Sequence, residues 1–351
     1  MLFNSLQVGA LTIPNRILLA PLTRTRADAG HMPNALMADY YAQRASGGLL
    51  ITECTMITEG TSAFIAEPGI YSPEQIEGWK KTTDAVHAKG GRIFMQIWHA
   101  GRAAHPDIND GARTVSSSAL AIEGDIQTLN GKVPHAVPHA LTLEEIPAIV
   151  ALFAQAAKNA IAAGFDGVEV HAANGYLIDQ FLRDGANQRT DAYGGPVENR
   201  ARFLFDVLTA VTQAISAERV GVRLSPLNSF NSMKDSDPIG LTAFLAEKLN
   251  AFNLAYLHMM RADFFGIQKG DVETIARDNY QGVLIGNMGY TAEEAEAAIA
   301  AGKLDAVAFG TSFLANPDLP ERIKAKAALN VPDSASFYTP GAKGYTDYPL
   351  M

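Results

Sequence analysis

Cysteine is nearly absent from this chain of 351 residues. Its single cysteine, Cys54, can form no internal disulfide and cannot by itself hold an iron–sulfur cluster. The chain also lacks the run of about 18 apolar residues that a membrane-spanning helix needs. Its first residues show no basic stretch followed by an apolar block, as a signal peptide would. We therefore expect a cytoplasmic protein that is large enough to build its core without disulfides.

Positive charge is in deficit as well. The chain has 28 lysines and arginines against 37 aspartates and glutamates, which gives a formal net charge of −9. Binding to a phosphate backbone requires a basic face, so nucleic acid is not an expected partner. The histidines, including His99, His105, His135 and His139, have no metal-ligand spacing on one element, so no metal site is predicted.

Apolar segments of strand length alternate with longer helical patterns along most of the chain. Such near-continuous hydrophobic runs are typical of parallel strands that are covered on their outer face. The predicted strands are Arg16–Leu22, Gly48–Thr55, Arg92–His99, Asp166–Ala173, Val220–Pro226, Leu254–Met260, Val283–Met288 and Ala306–Phe313. The predicted helices include Ser72–Ala88, Thr142–Ala163, Glu198–Ile215, Gly240–Phe252 and Thr291–Ala301, with Ser72 and Thr142 as capping residues.

Eight strands in βα alternation predict an α/β fold, a single (β/α)8 TIM barrel that forms one domain over residues 1–351. An open doubly wound sheet is the alternative, but no strand is followed by the Gly-x-Gly-x-x-Gly turn of a dinucleotide-binding site. Residues 3–15 predict a hairpin that closes the N-terminal end of the barrel. Residues 100–140 form a long loop insertion after the third strand, which we expect to cover the active site.

Polar residues at the end of the fourth strand carry the strongest chemical signal. Catalytic groups of such barrels lie where the strands end, and here His171, Asn174 and Tyr176 follow one another closely. Two hydrogen-bond donors and a phenol suit a reaction that builds negative charge on an oxygen and then protonates a carbon. The same residues could instead only cap the strand and the next helix, and taken alone they leave both interpretations open.

Longer motifs decide between these two interpretations. They resemble motifs of the old yellow enzyme family and occur in the same order over essentially the whole chain. The chain is most similar to the bacterial branch that includes N-ethylmaleimide and xenobiotic reductases. The segments that carry the resemblance are Ala20–Arg26, Tyr40–Ala45, Gln96–Arg102, His171–Leu182, Asn187–Phe203, Val222–Pro226, Asn316–Leu319, Ser336–Tyr338 and Gly344–Pro349.

The resemblance implies non-covalently bound FMN at the mouth of the barrel. Pro21, Leu22 and Thr23 would line the isoalloxazine ring, and the Thr23 hydroxyl would bond flavin O4. Gln96 would bond the pyrimidine edge of the ring. Arg223 would face the N1/O2 region, where a fixed cation favours the reduced, negatively charged flavin.

The FMN phosphate is expected near the loops after strands seven and eight, a recurrent phosphate site in this fold. Asn287, Met288, Gly310 and Thr311 would present backbone N–H groups to it. Here the sequence departs from the family pattern, because an arginine usually follows the glycine of the eighth strand and this chain has Thr311. Arginine is a bidentate phosphate ligand, so the departure places that contact in question.

Other positions near the ring are assigned by the same resemblance. Cys54 stands where relatives carry a small glycine or alanine close to the flavin, and we interpret it as a small buried hydrophobic residue. Trp98, Phe64 and Tyr338 would form the walls of the substrate space, although each could equally be a packing residue.

The function that the resemblance implies is an ene-reductase. NAD(P)H would reduce the flavin and leave; an enone, enal, maleimide or nitroalkene, or a nitrate ester, would then bind in the same place. His171 and Asn174 would hold its activating oxygen, flavin N5 would give hydride, and Tyr176 would protonate the neighbouring carbon. A flavin-binding redox sensor without turnover is the alternative. The expected assembly is a monomer or a homodimer.

Overall fold

The structure is a computed structural model that describes residues 1–351. The strands, in chain order, are β1 (Leu6–Val8), β2 (Leu11–Ile13), β3 (Ile17–Leu19), β4 (Leu50–Ile51), β5 (Thr55–Met56), β6 (Ile93–Trp98), β7 (Val115–Ser116), β8 (Asp125–Thr128), β9 (Gly131–Pro134), β10 (His139–Ala140), β11 (Gly167–Ala172), β12 (Val220–Leu224), β13 (Tyr256–Met260), β14 (Leu284–Asn287) and β15 (Ala306–Phe309). The helices are α1 (Ala35–Gln43), α2 (Pro73–Ala88), α3 (Ile146–Ala162), α4 (Leu177–Leu182), α5 (Val197–Arg200), α6 (Arg202–Ile215), α7 (Pro238–Leu249), α8 (Val272–Asn279), α9 (Ala292–Ala300), α10 (Thr311–Ala315) and α11 (Leu319–Ala325).

The central sheet is a closed parallel barrel, as predicted. Its order runs from β11 through β12, β13, β14 and β15 to β3, then through β4 to β6, and the additional pairing of β6 with β11 closes the ring. The short strands β4 and β5 both pair with β6 and together occupy the second position of the barrel. Every residue of β6, β11 and β12 is buried, because the helices cover the outer face of the sheet. The (β/α)8 fold class is therefore confirmed.

The predicted N-terminal hairpin is present. Strands β1 and β2 pair antiparallel, with Leu6 opposite Ile13. The buried side chains Val8 and Ile13 pack into the same apolar cluster as Leu18 and Phe94 of the barrel strands. The hairpin thus closes the N-terminal end of the barrel and leaves the opposite end as the open one.

Several predicted boundaries are wrong for local reasons. Helix α3 begins at Ile146 rather than at Thr142, because the Glu145 carboxylate accepts a hydrogen bond from the Thr142 amide in a preceding turn and Pro147 stands in the first helical turn. The eighth strand ends at Phe309 rather than at Phe313, since its partner β3 ends opposite it at Leu19.

The insertion after the third barrel strand carries structure of its own. Strands β8 and β9 form an antiparallel hairpin, and β7 pairs in parallel with β10. The capping box of α2 at Ser72 is also present, completed by Gln75. The helices α1, α4, α8, α10 and α11 were not predicted. None of the helices combines the length and the hydropathy needed to cross a membrane.

Candidate active site

A cavity of about 860 Å³ lies at the carboxyl end of the barrel strands. This volume is within the usual range of small-molecule and cofactor sites. Twelve of the predicted site residues line it, namely Pro21, Leu22, Thr23, Phe64, Asn174, Tyr176, Arg223, Asn287, Met288, Gly310, Thr311 and Tyr338. The predicted residues Cys54, Gln96, Trp98 and His171 are buried and are not among the lining residues. The structure therefore brings the predicted residues together at one end of the barrel.

His171 is the last but one residue of β11, and its neighbours fix its protonation state. Burial, followed by the nearby Arg223 and His258, lowers the pKa of His171 well below its ordinary value of 6.5. The neutral ring accepts a hydrogen bond at Nδ1 from the amide of Ala173, at 3.3 Å. Because a neutral imidazole carries one proton, that proton lies on Nε2, which is thereby a donor.

Asn174 is held in one orientation by residues of the loop after β12. Its backbone has a φ of 57°, a left-handed conformation that asparagine tolerates. Its amide donates to Ser225 Oγ at 2.7 Å, and its side-chain Oδ1 accepts from Asn228 Nδ2 at 2.8 Å. Since Oδ1 is occupied by Asn228, the free group of the Asn174 side chain is its NH2 donor.

Tyr176 stands between His171 and Trp98. Its ring meets the imidazole edge-on at a centroid distance of 5.0 Å and the indole edge-on at 5.1 Å. Burial, followed by the nearby Cys54, raises the pKa of Tyr176 well above 10.0. The phenol is therefore protonated throughout the neutral range and is available as a proton donor at the cavity wall.

Aromatic rings form one side of the cavity. Phe64 lies 6.2 Å from Trp98 and 6.5 Å from Tyr338 between ring centroids, and its ring is nearly parallel to that of Tyr338. Thr25 Oγ1 donates to the carbonyl of Tyr338 and so ties the C-terminal segment to the end of the first barrel strand. Phe64 and Tyr338 thus contribute apolar rings to the cavity lining.

A polar layer lies inside the barrel beneath the cavity. Glu169 accepts hydrogen bonds from Gln96 Nε2 at 2.7 Å and from His258 Nδ1 at 2.8 Å. Burial alone would raise the pKa of Glu169, but His258 and Arg223 hold it below its ordinary value. Because an ionised carboxylate only accepts hydrogen bonds, Gln96 must turn its nitrogen toward Glu169, which leaves its carbonyl oxygen for another donor.

Arg223 connects this layer to the cavity. Its Nη2 donates to Asn287 Oδ1 at 2.7 Å, whereas its buried Nε has no hydrogen-bond partner within the protein. A buried donor without a partner is unfavourable, so a group that enters the cavity and accepts this hydrogen bond gains affinity.

Cys54 is packed as predicted, with one polar contact. Its Sγ lies 3.2 Å from the hydroxyl oxygen of Thr23, and burial raises the pKa of its thiol well above the usual value of 9.0. We expect the folded protein to react with a thiol reagent on the order of 100-fold more slowly than free cysteine, because the thiolate is the nucleophile. One thiol per chain should appear after unfolding in guanidinium, and a Cys54→Ser variant gives the background. Rapid labelling of the folded protein would contradict this prediction.

The cavity also has lining residues that the sequence did not predict. The lining residues that were not predicted include Phe230, Met260, Phe264, Phe265, Gly289 and Tyr290. Most lie in loops, where no periodicity marks them. Glu169 and His258 did carry a signal, because each is a polar, ionisable residue in an otherwise apolar strand, and both are fully buried.

Known proteins resemble this chain over its whole length. The model of the NADH:flavin oxidoreductase / NADH oxidase family matches residues 1–330. A probable flavin mononucleotide-dependent alkene reductase of Leishmania infantum is 54% identical, with 100% of this chain and 98% of that protein covered. The old yellow enzyme of Trypanosoma cruzi superimposes with a TM-score of 0.96 at 44% identity, covering 99% of this chain and 98% of the other.

A structure of morphinone reductase in complex with tetrahydroNAD is similar to the same extent. It superimposes with a TM-score of 0.94 at 45% identity, covering 100% of this chain and 97% of the other. The chain therefore belongs to the NADH:flavin oxidoreductase / NADH oxidase family, as an NAD(P)H-dependent FMN oxidoreductase of the old yellow enzyme type.

Proposed function

We propose that the protein reduces carbon–carbon double bonds activated by a carbonyl, imide or nitro group, and that NAD(P)H and the alkene use the same cavity in turn. The observation that carries this proposal is the grouping of two hydrogen-bond donors and one phenol at one side of the cavity: Asn174 and Tyr176 line it, and the His171 ring packs edge-on against Tyr176 at 5.0 Å. His171 offers Nε2–H, Asn174 offers its NH2 group, and Tyr176 offers a proton.

The residues around the cavity fit FMN. The unpartnered Nε of Arg223 suits an oxygen or nitrogen acceptor, and the free carbonyl oxygen of Gln96 suits a ring N–H. When bound, FMN supplies the redox chemistry, namely hydride acceptance from NAD(P)H and hydride donation to the alkene. Thr23 and Arg223 would act on its polar edges, and Pro21 and Leu22 would pack against its ring.

The chain's own residues prepare the alkene for reduction. His171 and Asn174 donate to the oxygen that activates the double bond, which draws electron density away from the carbon that accepts hydride. Tyr176 then transfers its proton to the adjacent carbon. Phe64 and Tyr338, which line the cavity, contact apolar parts of the substrate.

The protonation states of these residues predict the pH dependence of the reaction. The neutral form of His171 is fully populated above its pKa, which lies well below 6.5. The protonated form of Tyr176 is fully populated below its pKa, which lies well above 10.0. Single-turnover rates of alkene reduction should therefore be flat between pH 6.5 and 10.0. An inflection inside this interval that persists with substrates lacking an ionisable group would contradict the assignment.

An anaerobic spectroscopic experiment tests the proposed function. NADPH or NADH should bleach the yellow colour of the purified holoprotein, and 2-cyclohexenone should restore it within seconds to minutes. Cyclohexanone, which has the carbonyl but no double bond, should leave the protein colourless and is the matched control. A flavin-binding redox sensor would stay bleached with both ketones, and that result would overturn the proposal.

A further inference from the structure

One end of the cavity lacks a cation where a phosphate would need it. The loops after β14 and β15 contribute Met288, Gly289, Tyr290, Gly310 and Thr311 to the lining. Arg223 is the only lysine or arginine among the lining residues, and it is bonded to Asn287. A phosphate dianion at this end must therefore be held by other groups.

Arg261, the first residue after β13, lies behind the loop formed by residues 288–290. Its Nε donates to the carbonyl of Met288 at 2.8 Å, and its Nη2 donates to the carbonyl of Gly289 at 3.0 Å. The guanidinium carbon stands 3.7 Å from the centre of the Tyr290 ring. The Glu294 carboxylate is 3.2 Å from Nη2, which keeps the side chain from swinging into solvent. Arg261 is thus fixed on three sides.

These two hydrogen bonds determine where the loop amides point. In a trans peptide the C=O and N–H groups point in opposite directions. Because the carbonyls of Met288 and Gly289 face Arg261, the amides of Gly289 and Tyr290 face away from it. Neither amide donates to another group of the protein. Two free N–H groups are therefore turned to the side of the loop away from Arg261, and both residues line the cavity.

The backbone of the loop would not keep this shape unaided. Met288 has a φ of 87° and Gly289 a φ of 71°. Glycine adopts the left-handed region freely, but for methionine it is an uncommon, strained conformation that persists only when its surroundings enforce it. Arg261 supplies contacts that hold it, because its backbone amide donates to the carbonyl of Asn287 and its guanidinium donates to the carbonyls of Met288 and Gly289.

We propose that Arg261 is the positioning residue of the phosphate-binding end of the cavity, in a chain that has Thr311 where an arginine would otherwise contact the phosphate directly. It holds the amides of Gly289 and Tyr290 toward the phosphate and places a positive charge behind them. This inference rests on the proposed binding of FMN, and it concerns the phosphate alone.

The test compares FMN with riboflavin, which has the same ring and no phosphate. Dissociation constants for both are measured by flavin fluorescence on the full-length apoprotein. In Arg261→Met, which retains the apolar stem over Tyr290, FMN should bind about 10- to 100-fold more weakly. Riboflavin should change by less than about threefold, because the ring contacts are unaltered. Arg261→Lys should lie between the wild type and Arg261→Met, since it keeps the charge but not the two-pronged geometry.

Arg277→Met is the matched control. Arg277 also bridges loop carbonyls, those of Tyr280 and Gly282, and pairs with Asp305, but none of these residues lines the cavity. The ratio of the two dissociation constants should stay at the wild-type value in this variant, even if its stability falls.

A compensating substitution makes the test independent of folding defects. Adding Thr311→Arg to Arg261→Met should restore the preference for FMN over riboflavin by at least about tenfold, because it supplies a direct phosphate ligand. Equal weakening of FMN and riboflavin in both Arg261 variants would overturn the inference. A wild type that binds FMN but fails with 2-cyclohexenone would refute the proposed function and leave this inference standing.

Discussion

Replacing Tyr176 with phenylalanine should slow alkene reduction by about 10²- to 10⁴-fold while leaving NADPH oxidation in the first half-reaction within about threefold of the wild type. The substitution removes one hydroxyl group and keeps the ring, so the edge-on contacts with His171 and Trp98 are retained. Only the step in which a substrate carbon is protonated should become slower. Stopped-flow measurement of the two half-reactions separates them.

The control for this experiment is Tyr280→Phe. Tyr280 is also a buried tyrosine, and burial raises its pKa to about 12, but it does not line the cavity. Both half-reactions should keep their wild-type rates in this variant. If Tyr176→Phe slows both half-reactions equally, its hydroxyl acts in binding or in structure and the role of proton donor is wrong.

The sequence predicted the barrel because hydrophobic runs and helical periodicity are local signals that the closed sheet satisfies. It located His171, Asn174 and Tyr176 because they lie at or near the end of a strand, and parallel strands of a barrel end on the same face. Once eight parallel strands are recognised, the topology of the barrel places the residues at their carboxyl ends together at its open end. The motif resemblance added their roles, which spacing alone left open.

The residues that hold these groups in place could not be predicted in the same way. Asn228 and Arg261 lie in loops after strands five and six, and their partners are distant in sequence, 54 residues away for Asn174 and 27 for Met288. Nothing in the local pattern says which carbonyl or amide a loop side chain will meet. The left-handed conformation of Met288 is equally hidden, since methionine carries no turn preference that would mark it.

Asn228 gives a prediction that isolates one of these supporting contacts. Asn228→Asp should lower the kcat/KM for 2-cyclohexenone by about 10²- to 10³-fold at neutral pH, the loss typical of a missing oxyanion donor. The new carboxylate cannot donate to Asn174 Oδ1, as the amide of Asn228 does at 2.8 Å. Asn174 would turn its NH2 group toward this carboxylate and present its oxygen to the substrate, so a donor at the cavity becomes an acceptor.

The same variant should recover activity as the pH falls. Once protonated, the introduced carboxyl group carries an O–H that donates to Asn174 Oδ1 again, and burial raises the pKa of a carboxyl group into an accessible range. The kcat/KM of Asn228→Asp should therefore rise below the pKa of the new carboxyl group and fall above it, whereas the wild type stays flat. Asn187→Asp is the control, because Asn187 is buried but donates to the carbonyls of Phe181 and Tyr193, away from the cavity. It should lower the free energy of unfolding without introducing a pH-dependent kcat/KM. Low activity of Asn228→Asp at every pH would mean that the loop after β12 has been displaced, and that the orientation of Asn174 does not depend on this single hydrogen bond.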